Sequence, residues 1–190
     1  MQLGRALGAI SLCWDILIIV WLVTATQSKP TIQRESLKDS FWYRFLLLAG
    51  FLWLFFGAYV PILNIVLIHH TAKTTYIGLA FAVAGLALAL WARATLGRNW
   101  SADVTFKQDH ELIQTGPYAY VRHPIYSALL LMLIGTALAA GYLGAIAAVP
   151  LAFASFWIKL RQEEQVMLEH FKAKYTDYQK RVGALIPHLP

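Results

Sequence analysis

Four apolar stretches separated by short polar segments dominate the pattern of the chain. They cover residues 6–23, 45–68, 76–92 and 125–158. The last stretch carries no charged side chain over its 34 residues, and Gly141 and Gly144 interrupt it. A helix needs about 20 residues to cross a bilayer, and glycine favours a turn at such a point. We therefore predict five transmembrane helices, of which the last two form a helical hairpin.

The composition agrees with this pattern. Hydrophobic residues make up 58% of the 190 residues and charged residues only 14%, whereas soluble domains carry about 25% charged residues. A chain of this length has no interior large enough to bury so many apolar side chains. We therefore expect an all-α integral membrane protein that is embedded in the lipid bilayer.

The positions of the basic residues predict the topology. The net charge is +6, and most Lys and Arg residues lie in three places: between spans one and two, after span three and after span five. Because such residues favour the cytoplasmic side, we expect the N-terminus outside and the C-terminus in the cytoplasm. In a membrane protein an excess of basic residues indicates contact with lipid headgroups, and we expect no nucleic-acid partner.

Two units follow from the order of the segments. Residues 1–92 form a membrane scaffold with three spans, and residues 93–190 hold a polar cytoplasmic loop, the hairpin and a tail. Apolar side chains recur in the tail at three- and four-residue steps: Leu168, Phe171, Tyr175, Tyr178 and Val182. This spacing predicts an amphipathic helix whose apolar face covers the polar loop or the ends of the last spans.

A charged pair stands at the start of span four. Arg122 and His123 precede Pro124, and proline suits the first turn of a helix. The N-terminus of a helix favours anions. Taken alone, the pair fits two interpretations equally well, an anion site or a snorkelling arginine beside a capping histidine.

A second polar cluster follows span five. Lys159 and Glu163 lie four residues apart and share a helical face, with Glu164 beside them. In an isolated helix they would form an ordinary exposed ion pair. If the last two spans form a hairpin, however, this cluster meets Arg122 and His123 at one membrane boundary. Charges are rarely assembled there without a function, which favours a site.

These segments resemble a known family. The stretch HELIQTGPYAYVRHPIY, an apolar hairpin and then EEQVMLEHFKAKYTDYQKRV, together with GRNWS at 97–101, are similar to the isoprenylcysteine carboxyl methyltransferase family over roughly residues 95–187. The resemblance implies transfer of a methyl group from S-adenosylmethionine to the carboxylate of a lipophilic, isoprenylated cysteine, without a metal ion. It makes residues 93–190 the catalytic region.

The resemblance also implies roles for single residues. The cofactor would contact His110, Glu111, Leu112, Ile113, Tyr118, His123, Pro124, Ile125 and Tyr126. Glu163 would hold the amino group of the cofactor. Lys159 stands where the family usually has an arginine that meets the substrate carboxylate, and lysine offers a point charge in place of a planar fork. Ala128 stands where many members have glycine.

The chemistry is consistent with these roles. A carboxylate acceptor is already ionised near neutral pH, so a site that aligns donor and acceptor needs no general base. Arg122 and Lys159 suit the acceptor anion, and Glu163 suits the ammonium group of the cofactor. The candidate catalytic residues are therefore Arg122, Glu163 and Glu164.

Three alternatives remain open at this point. A phospholipid N-methyltransferase, acting on phosphatidylethanolamine, has a similar layout and needs a base, which Glu163 or Glu164 could supply. A sterol-type reductase would use a nicotinamide cofactor. A transporter or scaffold would place polar groups near mid-membrane, where the sequence offers mainly Asp15 and Asn64. We expect Asp15 to pack inside the bundle, and Gly78 and Gly85 to mark a close helix-packing face.

Overall fold

The computed structural model describes residues 2–26 and 28–187 and is mostly helical. Its elements, in chain order, are α1 (Gln2–Ala25), β1 (Thr31–Arg34), α2 (Leu37–Phe56), α3 (Ala72–Leu96), β2 (Thr105–Lys107), α4 (Pro124–Ala140), α5 (Leu143–Phe171) and α6 (Ala173–Arg181).

Four segments of the described chain are long and apolar enough to cross a membrane. They are Gly4–Ala25, Leu37–Tyr59, Ala72–Asn99 and Leu143–Phe171. The remaining apolar helix, α4, has 17 residues, so the fifth span stays a prediction. The expected hairpin is present: α4 and α5 are joined by Gly141, whose φ of 71° lies in the left-handed region, and by Tyr142. Glycine enters that region without steric penalty.

Small residues allow α3 and α4 to approach closely. A Cβ atom added to Gly78 would lie 2.4 Å from the Gly135 carbonyl oxygen, and one added to Gly85 would lie 2.7 Å from the Ala128 oxygen. The predicted packing face is therefore confirmed. Elsewhere α1 packs on α3 and α2 packs on α5, so the first three helices support the hairpin on both sides.

Asp15 lies on the exposed outer face of α1 and has no partner among the described residues. The expectation that it packs inside the bundle is wrong. Ile10, Cys13 and Leu17 form the buried face of the helix. A step of two residues from Cys13 turns about 200° around the axis, which carries position 15 to the opposite side.

A two-stranded antiparallel sheet is an addition to the all-α prediction. Thr31 lies opposite Lys107, and Arg34 lies opposite Thr105. The strands satisfy backbone groups in two polar segments that no helix covers. They also bring the α1–α2 link and the segment after α3 to the same end of the bundle, as the positions of the basic residues predict.

The second apolar stretch folds differently from its prediction. Helix α2 starts at Leu37, where the Ser36 hydroxyl caps it by accepting a hydrogen bond from the Asp39 amide (3.2 Å), and it ends at Phe56. A short 3-10 turn follows at Gly57–Tyr59 and residues 60–71 are irregular; Pro61 has no amide donor with which to continue a helix. The Leu67 and Ile68 amides instead donate to the Gly141 carbonyl, each at 2.9 Å.

The tail contains a break that the periodicity does not reveal. Helix α5 ends at Phe171, Lys172 takes a positive φ of 48°, and α6 then begins. The prediction of one continuous tail helix is therefore wrong at this residue. Its apolar face nevertheless packs as expected, since Tyr175 and Tyr178 cluster with Leu112 of the polar loop.

Candidate active site

A cavity of about 330 Å³ opens at the end of the bundle where the polar segments meet. Segment 99–126, α5 and α6 form most of its wall, and Trp21 and Leu47 reach it from α1 and α2. Most of the residues predicted for the site line it: His110, Glu111, Leu112, Ile113, Tyr118, Arg122, His123, Ile125, Tyr126, Lys159 and Glu163. Pro124 is fully buried at the start of α4, and Glu164 lies behind the wall.

Glu163 is held in the wall by two aromatic neighbours. The Tyr126 hydroxyl donates to Glu163 Oε1 (2.6 Å), and His123 Nδ1 lies 3.4 Å from Glu163 Oε2. The Tyr126 ring stacks between His123 and Phe156, with centroid distances of 5.6 and 5.1 Å. The Glu163 side chain remains 24% exposed. A fixed carboxylate of this kind can receive a cation from the cavity.

Glu164 is occupied by other partners. Arg122 Nε donates to Glu164 Oε1 (2.7 Å), and Gln179 Nε2 donates to Oε2 (3.2 Å). The remaining bonds of Arg122 run to the backbone carbonyls of Gln179 and Val182. This buried pair joins the start of α4 to α5 and to the end of α6, so it fixes the frame of the cavity.

His123 bridges the two carboxylates. Its Nε2 lies 3.2 Å from Glu164 Oε1, opposite its contact with Glu163. Burial opposes a charge on the imidazole, but the hydrogen bonds and charges of Glu163 and Glu164 outweigh burial and raise the pKa of His123. The ring therefore carries its proton at higher pH than a free histidine and orients both carboxylates.

Lys159 lies beside Glu163 on α5, as their spacing predicts. Its Nζ is 4.0 Å from Glu163 Oε1 and donates to the Ala102 carbonyl. The same atom lies 5.6 Å from the Tyr43 ring centroid and 5.7 Å from that of Tyr126. The cavity thus presents a cation and an anion side by side.

Aromatic rings form or support another part of the cavity wall, around His110. The Phe106 ring stacks between His110 and His170, at centroid distances of 4.9 and 3.6 Å. Burial, aided by the charges of Lys29, His170 and Lys107, lowers the pKa of His110 to about 4. His110 is therefore a neutral ring at neutral pH and accepts a hydrogen bond at Nδ1 from the Lys107 amide (3.3 Å).

Three tyrosines complete this aromatic part. Burial raises the pKa of Tyr118 and Tyr175 above the ordinary range and raises the pKa of Tyr178 to about 12. Their hydroxyls therefore stay neutral, and the Tyr178 hydroxyl donates to the Tyr118 carbonyl. Neutral rings can stack on a purine or face a sulfonium. With Glu163 available for an ammonium group, this donor set fits S-adenosylmethionine.

Sequence reasoning missed part of the site. Residues 99–103, which follow α3, line the cavity, and Tyr43 of α2 lies beside Lys159 in the wall. The family-like stretch GRNWS at 97–101 pointed to residues 99–103, although the resemblance assigned no role to any single residue there. Tyr43 had no such signal, because an aromatic residue in an apolar helix is ordinarily a packing residue.

The fold and the site define a helical membrane protein with a charge-lined cavity at one end of its bundle. The chain belongs to the isoprenylcysteine carboxyl methyltransferase (ICMT) family, whose model matches residues 76–169. That range holds most of α3, the polar loop, α4 and most of α5.

Several proteins are similar to this chain. A protein-S-isoprenylcysteine O-methyltransferase of Saccharomyces cerevisiae is 31% identical over 122 residues, which cover 63% of this chain and 51% of that protein. The nickel-cobalt-cadmium resistance protein NccN of Alcaligenes xylosoxydans xylosoxydans is 28% identical over 167 residues, covering 85% and 73%.

A solved structure has the same fold. The structure of the eukaryotic intramembrane Ras methyltransferase ICMT matches with a TM-score of 0.55 and 30% identity, covering 77% of this chain and 52% of that one. The present chain therefore spans about half the length of the yeast enzyme and of the solved eukaryotic enzyme.

Proposed function

We propose that the chain is an S-adenosylmethionine-dependent methyltransferase that esterifies the carboxylate of a lipophilic acceptor, such as an isoprenylated cysteine. The observation that carries the proposal is the pair formed by Lys159 and Glu163, 4.0 Å apart in the cavity wall. One charge suits an acceptor carboxylate and the other suits the ammonium group of the cofactor. Membership of the ICMT family supports the same reaction.

The cofactor, when bound, supplies a methyl group on a positively charged sulfur. Glu163, oriented by Tyr126 and His123, would hold its ammonium group. The neutral rings of Tyr118 and Tyr178, with the segment from His110 to Ile113, would hold the purine and ribose. These contacts would shield the sulfur of the cofactor from water.

Lys159 would bind the acceptor carboxylate. Because that group is ionised at neutral pH, the residues need only align it with the methyl group. Arg122 and Glu164 were candidate catalytic residues; their mutual bond favours a supporting role for both. With Glu164 held by Arg122 and Glu163 assigned to the ammonium group of the cofactor, neither carboxylate would be free to act as the base that an amine acceptor requires, which favours a carboxylate acceptor over a phospholipid amine.

The apolar part of the acceptor would extend along the part of the wall formed by Leu47, Leu129 and Phe156, which come from three different helices. Together with the basic residues around the cavity, this arrangement supports a site at the cytoplasmic membrane face, with the N-terminus outside.

The test uses purified protein in lipid bilayers with methyl-labelled S-adenosylmethionine. One sample receives a farnesylated cysteine analogue and another receives phosphatidylethanolamine, and the products are treated with alkali. We expect label to be released as volatile methanol from the first sample only. Alkali-stable label in the lipid would assign N-methylation instead. Absence of label in both samples, which a reductase or transporter predicts, would refute methyl transfer to these acceptors.

A variant pair sharpens the test. Lys159→Ala should raise the KM for the acceptor about tenfold or more, because a charge-assisted contact contributes about 1.5–3 kcal/mol. Lys174→Ala is the matched control, since Lys174 is exposed on α6 outside the cavity. An equal effect of both variants would exclude the assigned role of Lys159.

A further inference from the structure

The ammonium group of Lys159 lies between two tyrosine rings. Its Nζ is 5.6 Å from the Tyr43 centroid and 5.7 Å from the Tyr126 centroid, within the distance at which a ring face attracts a cation. Tyr126 lies in the part of the chain that matches the ICMT family model, whereas Tyr43 lies on α2, outside residues 76–169. The family match therefore assigns nothing to Tyr43.

Tyr43 is itself held rigidly. Only 4% of the residue is exposed, its hydroxyl donates to Glu35 Oε1, and its carbonyl accepts a hydrogen bond from the Ser155 hydroxyl (2.7 Å). The last bond joins α2 to α5 one turn before Lys159. The ring consequently has a fixed position relative to the lysine.

Glu35 connects the same ring to the far side of the lysine. Its Oε1 also accepts a hydrogen bond from the Val104 amide (3.1 Å), and the Glu35 amide donates to the Val104 carbonyl (3.1 Å). The segment held in this way includes Ala102, whose carbonyl accepts a hydrogen bond from Lys159. One carboxylate thus positions both the ring and the carbonyl that contact the ammonium group.

The neighbours of Lys159 matter because a lysine gives less control over the direction of a bound carboxylate than an arginine does. An arginine fork sets the direction of a bound carboxylate by its own planar geometry, whereas an ammonium group has no preferred plane. Two ring faces, one carbonyl and Glu163 lie around the ammonium group, and Lys159 lines the cavity. The neighbours of Lys159 would therefore set the direction in which its ammonium group meets a carboxylate.

We propose that Tyr43, anchored by Glu35, is a positioning residue that sets acceptor specificity by holding Lys159 toward the acceptor carboxylate. The inference rests on the proposed function, because it assigns the carboxylate to Lys159. It predicts that α2, a helix outside the matched segment, determines how well a carboxylate acceptor binds while leaving the cofactor contacts intact.

The kinetic test compares Tyr43→Leu, which removes the ring, with Tyr43→Phe, which keeps it. We expect Tyr43→Leu to raise the KM for the farnesylated cysteine analogue about tenfold and to leave the KM for S-adenosylmethionine nearly unchanged. Tyr43→Phe should retain most of the wild-type acceptor affinity. Trp42→Leu is the control on the same helix, because Trp42 is 62% exposed on its outer face.

A double variant separates positioning from general structural support. If Tyr43 acts through Lys159, adding Tyr43→Leu to Lys159→Gln should raise the acceptor KM no further. A full additional effect in the double variant would overturn the proposal. So would equal losses in Tyr43→Phe and Tyr43→Leu, or a parallel loss of cofactor affinity.

A measurement without turnover keeps this inference distinct from the proposed function. Proton–nitrogen NMR of lysine ammonium groups reports ring-current shifts, and the Lys159 signal is identified by its absence in Lys159→Arg. We expect Tyr43→Leu to move this signal and Trp42→Leu to leave it in place. An unmoved signal refutes the positioning role even if the ester forms. If the signal moves while no ester forms with wild-type protein, the positioning contact stands but its assignment to acceptor specificity fails with the proposed function.

Discussion

Arg122 Nε lies 2.7 Å from Glu164 Oε1, and the two side chains are only 7% and 8% exposed. A pair buried to this degree contributes little net stability relative to apolar residues, but removal of one partner leaves an uncompensated charge. Because Arg122 lies two residues before α4 and Glu164 lies on α5, this pair fixes the geometry of the hairpin at the cavity end.

Arg122→Gln should therefore destabilise the folded protein by about 3–5 kcal/mol, measured as a lower thermal unfolding midpoint in detergent. Lys180→Gln is the control, because its pair with Asp177 is 70% and 67% exposed, and such a pair contributes about 0–1 kcal/mol. The joint replacement of Arg122 by Met and Glu164 by Leu should recover much of the loss. Equal midpoints for Arg122→Gln and the wild type would contradict a supporting role.

Glu163→Gln should weaken cofactor binding about 10- to 100-fold, because a charged hydrogen bond contributes about 1.5–3 kcal/mol. The fold should survive, since a glutamine oxygen can still accept the bond from Tyr126. Calorimetric titration with S-adenosylhomocysteine, which carries the same amino group, measures the change. Tyr126→Phe should give a smaller loss, and unaltered affinity in Glu163→Gln would exclude the ammonium contact.

His110 should make stability depend on pH. Its pKa is lowered to about 4 in the folded state, whereas an unfolded histidine titrates near 6.5. Between these values the unfolded chain binds more protons, so stability is fully present above about pH 6.5 and falls as the pH drops toward 4, by up to about 1.4 kcal/mol per pH unit. Between pH 4 and 6.5 the unfolding midpoint should depend less steeply on pH in His110→Phe than in the wild type. An unchanged slope would exclude His110 as the source of the pH dependence.

The contact between α3 and α4 should not tolerate a side chain at Gly78. A Cβ there would lie 2.4 Å from the Gly135 oxygen, so Gly78→Val must separate the helices, whereas a Cβ at Gly8 has nothing within 4 Å. We expect Gly78→Val to lower the unfolding midpoint and the yield of folded protein. Gly8→Val, a matched change on α1, should leave both nearly unaltered.

The sequence predicts well what depends on local patterns. Apolar length reveals the membrane helices, glycine at 141 reveals the hairpin turn, and the hairpin in turn predicts that Arg122 and His123 meet Glu163 and Glu164. The first two features depend on residues close together in the chain, and the third follows because a hairpin brings its two ends together.

Features that depend on distant partners could not be predicted in this way. The strand Thr31–Arg34 exists only because it pairs with Thr105–Lys107, and Tyr43 is part of the site only because Glu35 and Lys159 lie on either side of it. The break at Lys172 is equally invisible, since the apolar spacing continues across it. Asp15 was placed inside the bundle because the sequence does not show which face of α1 meets α3.

The short helix α4 determines how deep the cavity lies relative to the hydrocarbon core. Its 17 residues extend about 26 Å at about 1.5 Å per residue, less than the roughly 30 Å of a hydrocarbon core. At the cavity end α5 continues from Glu163 to Phe171, so the floor formed by His123 is recessed about 12 Å below the tip of that helix. Under the proposed function, a methyl acceptor would reach the depth of His123 while its apolar chain stays at acyl-chain depth. Its lipid anchor would then not have to be extracted from the bilayer, and the product would leave by lateral diffusion.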